Sequence, residues 1–153
     1  MKKKIIILAG GYSKEREISL TSGKEVYKSI KNKYRCYFID PKGDLNQVLK
    51  KIKPDIVFNG LHGRYGEDGY IQSILENEKI KYTHSGVLSS FLAIDKYLSK
   101  KIFKENNILT PASFKHTFSN NISQKQLLSK ANLLKFPLVL KPINEGSSVG
   151  VYI

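Results

Sequence analysis

The chain carries a single cysteine, Cys36, so no internal disulfide can form, and a lone thiol fits a reducing cytoplasmic setting. Cys36 reads as a small buried residue on a strand. No apolar run approaches the roughly 20 residues needed to span a bilayer, so no membrane role is expected. The Met1-Lys2-Lys3-Lys4 start leads only into a short apolar run ending at Gly10–Gly11. That run is too short for the core of a signal peptide and fits a first strand. Cys/His pairs at metal-ligand spacing are missing, and no metal site is expected within these residues. Arginine is scarce as well, with 3 arginines against 23 lysines in a net charge of +13. The lysines are spread along the chain, with no arginine-rich stripe and no nucleic-acid-binding module beside them. Their abundance, with that of isoleucine and asparagine, fits an AT-biased coding genome, and nucleic acid is not expected as a partner.

What is present describes a folded protein. With 41% hydrophobic and 25% charged residues, 153 residues can bury one core, or one domain and part of a second. Strands are expected at Lys4–Ala9, Tyr34–Asp40, Ile56–Asn59 and Lys81–Thr83. Helices are expected at Glu15–Lys31, Leu45–Ile52, Asp68–Asn77 and Gly86–Ala93. In the first of these helices Ile18, Ser22, Val26 and Ile30 fall on one face. Short apolar strands alternating with amphipathic helices imply an α/β, Rossmann-like parallel sheet covered on both faces. A ligand site is then expected beyond the C-terminal ends of its strands, where "AGGYSKE" and "NGLHGRYGEDG" both lie.

The rhythm changes near Ala93. Asp95 opens a helix through Asn106, with Leu98, Ile102 and Phe103 inward and Lys100, Lys101 and Lys104 outward. Asn106–Asn107 supply a left-handed stop followed by Pro111. Thr110–His116 reads as a strand, Ser123 and Gln126 as a capping box, and Pro137–Lys141 as a strand. Pro142–Gly150 is then a loop, and Val151–Ile153 opens another strand. A chain stopping inside a strand reads as a fragment or a truncated product.

Three stretches carry chemistry. In "KPINEGSSVGV" a glycine-rich loop joins two strands, so it is neither a Walker loop nor a dinucleotide turn, both of which open into helices. Gly146 and Gly150 bracket Ser147 and Ser148, whose hydroxyls and neighbouring N–H groups suit an anion, and Lys141 adds a point charge. An ordinary hairpin turn beside a surface lysine is the alternative. In "NGLHGRYGEDGY", His62, Arg64, Glu67 and Asp68 sit among four glycines. His62 can approach a ligand carbonyl or carboxylate there, whereas Asp68 need only cap the next helix. In "LAGGYSKEREISL" a glycine turn feeds a helix whose start carries Glu15 and Glu17. A carboxylate there repels phosphate and attracts an ammonium, unless it only compensates the helix dipole.

Four ordered segments, "LAGGYSKEREISLTSG", "LHGRYGEDGYIQSILE", "YTHSGVLSSFLAIDKYLSK" and "FPLVLKPINEGSSVGV", resemble the N-terminal part of D-alanine–D-alanine ligases. These are ATP-grasp enzymes of peptidoglycan synthesis. The resemblance implies a pre-ATP-grasp substrate domain over residues 1–93, then the start of an α+β ATP-grasp domain over 94–153. It implies ATP-dependent ligation of two D-alanines through an acyl phosphate, with ATP and D-alanine as partners. It carries Glu15 over to the first D-alanine's amino group and His62 to the same substrate. Lys96 and Lys141 go to the ATP phosphates, and Glu145, Gly146, Ser147 and Ser148 to the loop that covers them. Glu15 and Ser147 are thereby assigned to the catalytic machinery, with Ser147 also linked to the family's closing loop.

His84 departs from the family, which commonly has glycine before Ser-Gly. The adenine-binding segment, closing loop, oxyanion arginine and magnesium carboxylates are expected beyond Ile153, so the 153 residues alone are expected to be inactive. A non-catalytic remnant and a sister ligase joining D-alanine to D-lactate or D-serine are the alternatives. A cytoplasmic location is implied, and a homodimer is left open.

Overall fold

The computed structural model describes residues 2–117 and 123–153, which form two compact units, Met1–Ile94 and Asp95–Ile153. In the first unit the order is β1 (Lys4–Leu8), α1 (Arg16–Ile30), β2 (Arg35–Ile39), α2 (Leu45–Ile52), β3 (Ile56–Asn59), α3 (Tyr70–Asn77), β4 (Lys81–Tyr82) and α4 (Val87–Ile94). The strands form one sheet in the order β2-β1-β3-β4, and every pairing is parallel. This is the α/β architecture that the alternation of elements implied.

β1 is central, which explains its unbroken Ile5–Ile6–Ile7–Leu8 run: both of its faces are buried. Ile6, Leu8 and Val57 pack with Leu45 and Leu49 of α2, Leu61, and Ile71 and Leu75 of α3. The opposite face meets α1. There the apolar face expected at Ile18, Ser22, Val26 and Ile30 is rotated, and Ile18 is 52% exposed. The buried positions of α1 are Ser19 and Gly23. Close approach is the reason: a Cβ on Gly23 would lie 2.4 Å from the Ala9 Cβ and 3.1 Å from the Phe38 ring. Only small residues let this helix sit that close to the sheet. Gly23→Ala is therefore expected to destabilise despite alanine's better helix propensity. The overpacking cost of about 1–3 kcal/mol outweighs a propensity gain of about 1 kcal/mol, and a urea titration should show a lowered midpoint.

Other differences are local. Cys36 is half-buried, not fully buried, because β2 is an edge strand, and burial pushes its thiol pKa up. α3 starts two residues later than expected, at Tyr70, since Gly69 takes a left-handed φ of +93° at its cap. The His84 turn survives the departure from glycine: His84 holds φ +78°, and its ring sits edge-on to Phe58 at 5.8 Å.

The second unit holds α5 (Lys96–Glu105) and α6 (Gln124–Leu134). The Asp95 carboxylate caps α5 by accepting from the Tyr97 and Leu98 N–H groups at 2.8 and 2.9 Å. The helix ends as Asn106–Asn107 suggested. Asn107 is left-handed, and the Asn107 and Ile108 N–H groups donate to Lys104 and Phe103 oxygens at 3.1 and 2.7 Å. The Ser123/Gln126 capping box forms at the start of α6. Phe103, expected inward, is 40% exposed, whereas Lys100, expected outward, is half-buried. Thr110–His116 is irregular instead of a strand. Pro137–Lys141 and Val151–Ile153 reduce to one antiparallel bridge, Leu140 with Tyr152. With no third strand alongside among the described residues, a ladder gains too little to extend.

Candidate functional site

The sheet reverses its winding between β1 and β3, so the loops leaving these two strands flank a crevice at their C-terminal ends. One side chain joins the two loops. Ser19 Oγ accepts the Gly10 N–H at 2.8 Å and donates to the Gly60 carbonyl at 2.6 Å. Ser19 is fully buried, and the Gly60 N–H donates to Leu8 O at 2.8 Å.

One turn before Ser19 stands Glu15, at the N-cap of α1 and not within its first turn; Glu17 occupies that turn. Glu15 is only 6% exposed. Its side chain does not turn back to cap the helix. Instead Oε2 lies against the loop after β3: a Cβ on Gly63 would sit 2.5 Å from it. Gly63 also holds φ +66°, so both backbone and space demand glycine there. The structure thus brings the carboxylate of "SKERE" to the "HG" of the second loop, two stretches separated by more than forty residues.

That second loop is held from within. The Asn59 side chain, 2% exposed, accepts from the Leu61 N–H at 3.2 Å and donates to Gly66 O at 2.8 Å. Gln72 of α3 donates to the same carbonyl at 2.9 Å. Glu67 accepts the Gly63 N–H at 2.8 Å, and its other oxygen lies 4.0 Å from His62 Nδ1. Asp68 accepts from the Tyr65 and Tyr70 N–H groups at 2.9 and 3.2 Å, so it pins the turn leading into α3, whose cap is Gly69 and not Asp68 as expected. Arg64 lies over the Tyr65 ring at 5.1 Å. His62 and Tyr12 also border a cavity of about 630 Å³ between the loops after β1, β2 and β3, and Glu15 is not in its wall.

The first loop is fixed by Arg16 and Asp40. The guanidinium donates to Gly11 O at 2.9 Å and to the Asp40 carboxylate at 2.6 Å, which also accepts the Gly11 N–H at 3.0 Å. The hydrogen bond from Arg16 holds the Asp40 carboxyl below its ordinary range, and the same bond raises Arg16. A depressed carboxyl contributes stability that is complete above its unfolded pKa of about 3.9 and is lost as pH falls through the folded value. Asp40→Asn is therefore expected to lower stability at neutral pH by up to about 1 kcal/mol, given the pair's partial exposure. Thermal melts run down through the carboxylate range should show the gap between the two proteins closing in acid.

In the second unit, Lys96 Nζ donates to the Ile143 carbonyl at 3.2 Å and to the Glu145 carbonyl. This ties the first residue of α5 to the loop after Lys141. Leu140 and Tyr152 close that loop with reciprocal N–H to carbonyl bonds of 2.8 and 2.9 Å. Gly146 O accepts the Val149 N–H at 2.9 Å, and Ser147 and Ser148 are both left-handed, with φ of +45° and +62°. A left-handed serine costs roughly 1–2 kcal/mol, so two in succession mark a loop held in shape by its surroundings. Lys141 is exposed, and Lys100 donates to Pro111 O at 2.7 Å. Burial, then the charges of Lys141 and Lys104, push the Lys100 pKa down. Such a gathering of lysines around a loop of small residues suits a polyanion.

The structure brings Glu15 beside the loop of His62, residues the resemblance assigned to one substrate, and Lys96 beside the loop of Glu145–Ser148, residues it assigned with Lys141 to ATP phosphates. Sequence reasoning missed Ser19, Arg16, Asp40 and Lys100. The spacing of small residues at 19 and 23 was the available signal for the first. The others depend on contacts across the fold that no local pattern shows.

Residues 40–85 match the family model described as the D-ala D-ala ligase N-terminus. Over its whole length the chain is 56% identical to the D-alanine–D-alanine ligase of Pelagibacter ubique, of which it covers 50%. Among solved structures, the D-alanine–D-alanine ligase of Bacillus anthracis superposes with a TM-score of 0.84 at 36% identity, over 98% of this chain and 48% of that one. The same enzyme complexed with ATP superposes with a TM-score of 0.81 at 34% identity, over 97% of this chain and 50% of that one. The chain spans about half the length of the curated relatives it matches. By sequence and by fold, the chain is similar to the N-terminal half of D-alanine–D-alanine ligases.

Proposed function

We propose that this chain supplies the N-terminal half of an ATP-dependent ligase that joins two D-alanines, a cytoplasmic step of peptidoglycan synthesis. The γ-phosphoryl group of ATP passes to one D-alanine carboxylate, giving an acyl phosphate and ADP. The amine of the second D-alanine attacks the acyl carbon and expels inorganic phosphate. Glu15 holds the ammonium of the first D-alanine, with the His62–Gly63 loop alongside. Lys96 and Lys141 hold ATP phosphates under the loop Glu145–Ser148, and Ser147 belongs to the catalytic machinery of that loop. Positioning and charge stabilisation supply the catalysis these residues offer.

The observation that carries this reading is the buried Glu15 carboxylate lying against Gly63. A carboxylate taken out of water favours a cation beside it and disfavours a phosphate. Among the described residues no three His, Cys, Asp or Glu side chains converge to hold a magnesium ion. No helix among the described residues is long and apolar enough to cross a membrane.

The test is a full-length ligase carrying these residues as its N-terminal half, incubated with ATP and D-alanine. Chromatography should show D-alanyl-D-alanine and phosphate appearing together, with L-alanine giving neither. ATP turnover without dipeptide would contradict the proposal.

A further inference from the structure

We infer that Ser19 is a positioning residue for the amino-group site, setting the distance between the Glu15 carboxylate and the His62–Gly63 loop. The inference rests on the reading of Glu15 given above. Ser19 is fully buried, and its single hydroxyl bridges the Gly10 N–H and the Gly60 carbonyl at 2.8 and 2.6 Å. Those two groups belong to the two loops that flank the crevice between β1 and β3. The Ser19 N–H donates to the Glu15 carbonyl at 3.0 Å, so Ser19 and Glu15 share one helical turn.

The clasp therefore joins three things at one point: the end of β1, the end of β3 and the turn that bears Glu15. Three residues past Gly60 the chain reaches Gly63, already so close to Glu15 Oε2 that no Cβ fits. Tolerance there is small. Removing the hydroxyl leaves a buried donor and a buried acceptor without their partner, and the loops must shift or admit water to satisfy them. Either response changes the gap in which an ammonium would sit. Gly23, one further turn along, holds α1 against Ala9 and Phe38 independently, so the helix stays docked when its first turn is released.

The experiment has two arms. In the 153-residue chain, Ser19→Ala is expected to speed hydrogen exchange at the Gly10 amide, read by nitrogen-15 NMR. In a full-length ligase carrying these residues, the same change should raise KM for the first D-alanine by roughly ten- to a hundredfold and leave KM for ATP within about twofold. Ser19→Cys, slightly larger than serine and a weaker partner in both bonds, should shift the same constant in the same direction, and it serves if the alanine variant does not fold. Faster Gly10 exchange with an unchanged D-alanine KM would overturn the inference, as would equal rises in both constants. An unchanged D-alanine KM in Glu15→Gln would instead strike the reading of Glu15 itself, so the two failures are distinguishable.

Discussion

Glu15→Gln in a full-length ligase carrying these residues is expected to raise KM for the first D-alanine by roughly ten- to a hundredfold, with ATP dependence little changed. Glutamine keeps the size and most of the hydrogen bonding of glutamate and removes only the charge. The position is 6% exposed, so little water is available to replace that charge for an ammonium beside it. A charge-assisted hydrogen bond contributes about 1.5–3 kcal/mol, and each 1.4 kcal/mol is a factor of ten. If Glu15 served only the helix dipole, the same substitution would cost at most about 1 kcal/mol of stability and leave kinetics alone. Thermal melts beside D-alanine titrations separate the two roles. A lowered melting point with unaltered KM assigns Glu15 to the helix.

Lys141→Ala is expected to weaken ATP binding by a similar factor while D-alanine binding is kept. Lys141 is exposed beside a loop whose two serines are left-handed and whose ends are closed by the Leu140–Tyr152 bridge. The loop's shape does not depend on the lysine's charge, so its removal subtracts a contact without collapsing the cradle. Unchanged ATP affinity and turnover would leave the loop as an ordinary hairpin.

Much of the first unit was legible because its signals are local. The Ile5–Leu8 run, the alternation of strands with amphipathic helices, and glycines at strand ends each point to one architecture. α1 was misread because its buried face is made by exclusion. Gly23 faces the sheet since nothing larger fits against Ala9 and Phe38, and Ser19 faces it through hydrogen bonds to Gly10 and Gly60, neither of which a hydrophobic periodicity can register. In the second unit the caps at Asp95, Asn107 and Ser123 were readable, being written in neighbouring residues. Its strands were not, because a strand's existence depends on a partner elsewhere in the chain.

At the candidate site, residue types and spacing singled out Glu15, His62 and Lys141 separately, and the family resemblance alone added Lys96. Their supports came from the fold: Ser19 across two loops, Asp40 beneath Arg16, and the Ile143 and Glu145 carbonyls around Lys96.

The proposed ligase divides its labour, with the amino substrate held at Glu15 in the first unit and the nucleotide phosphates at Lys141 in the second. The most direct test of this division is a two-way titration of D-alanine and ATP against Glu15→Gln and Lys141→Ala in the same full-length ligase. Each variant is expected to raise one Michaelis constant by at least about tenfold and leave the other within about twofold. Both variants raising the same constant, or each raising both equally, would contradict it.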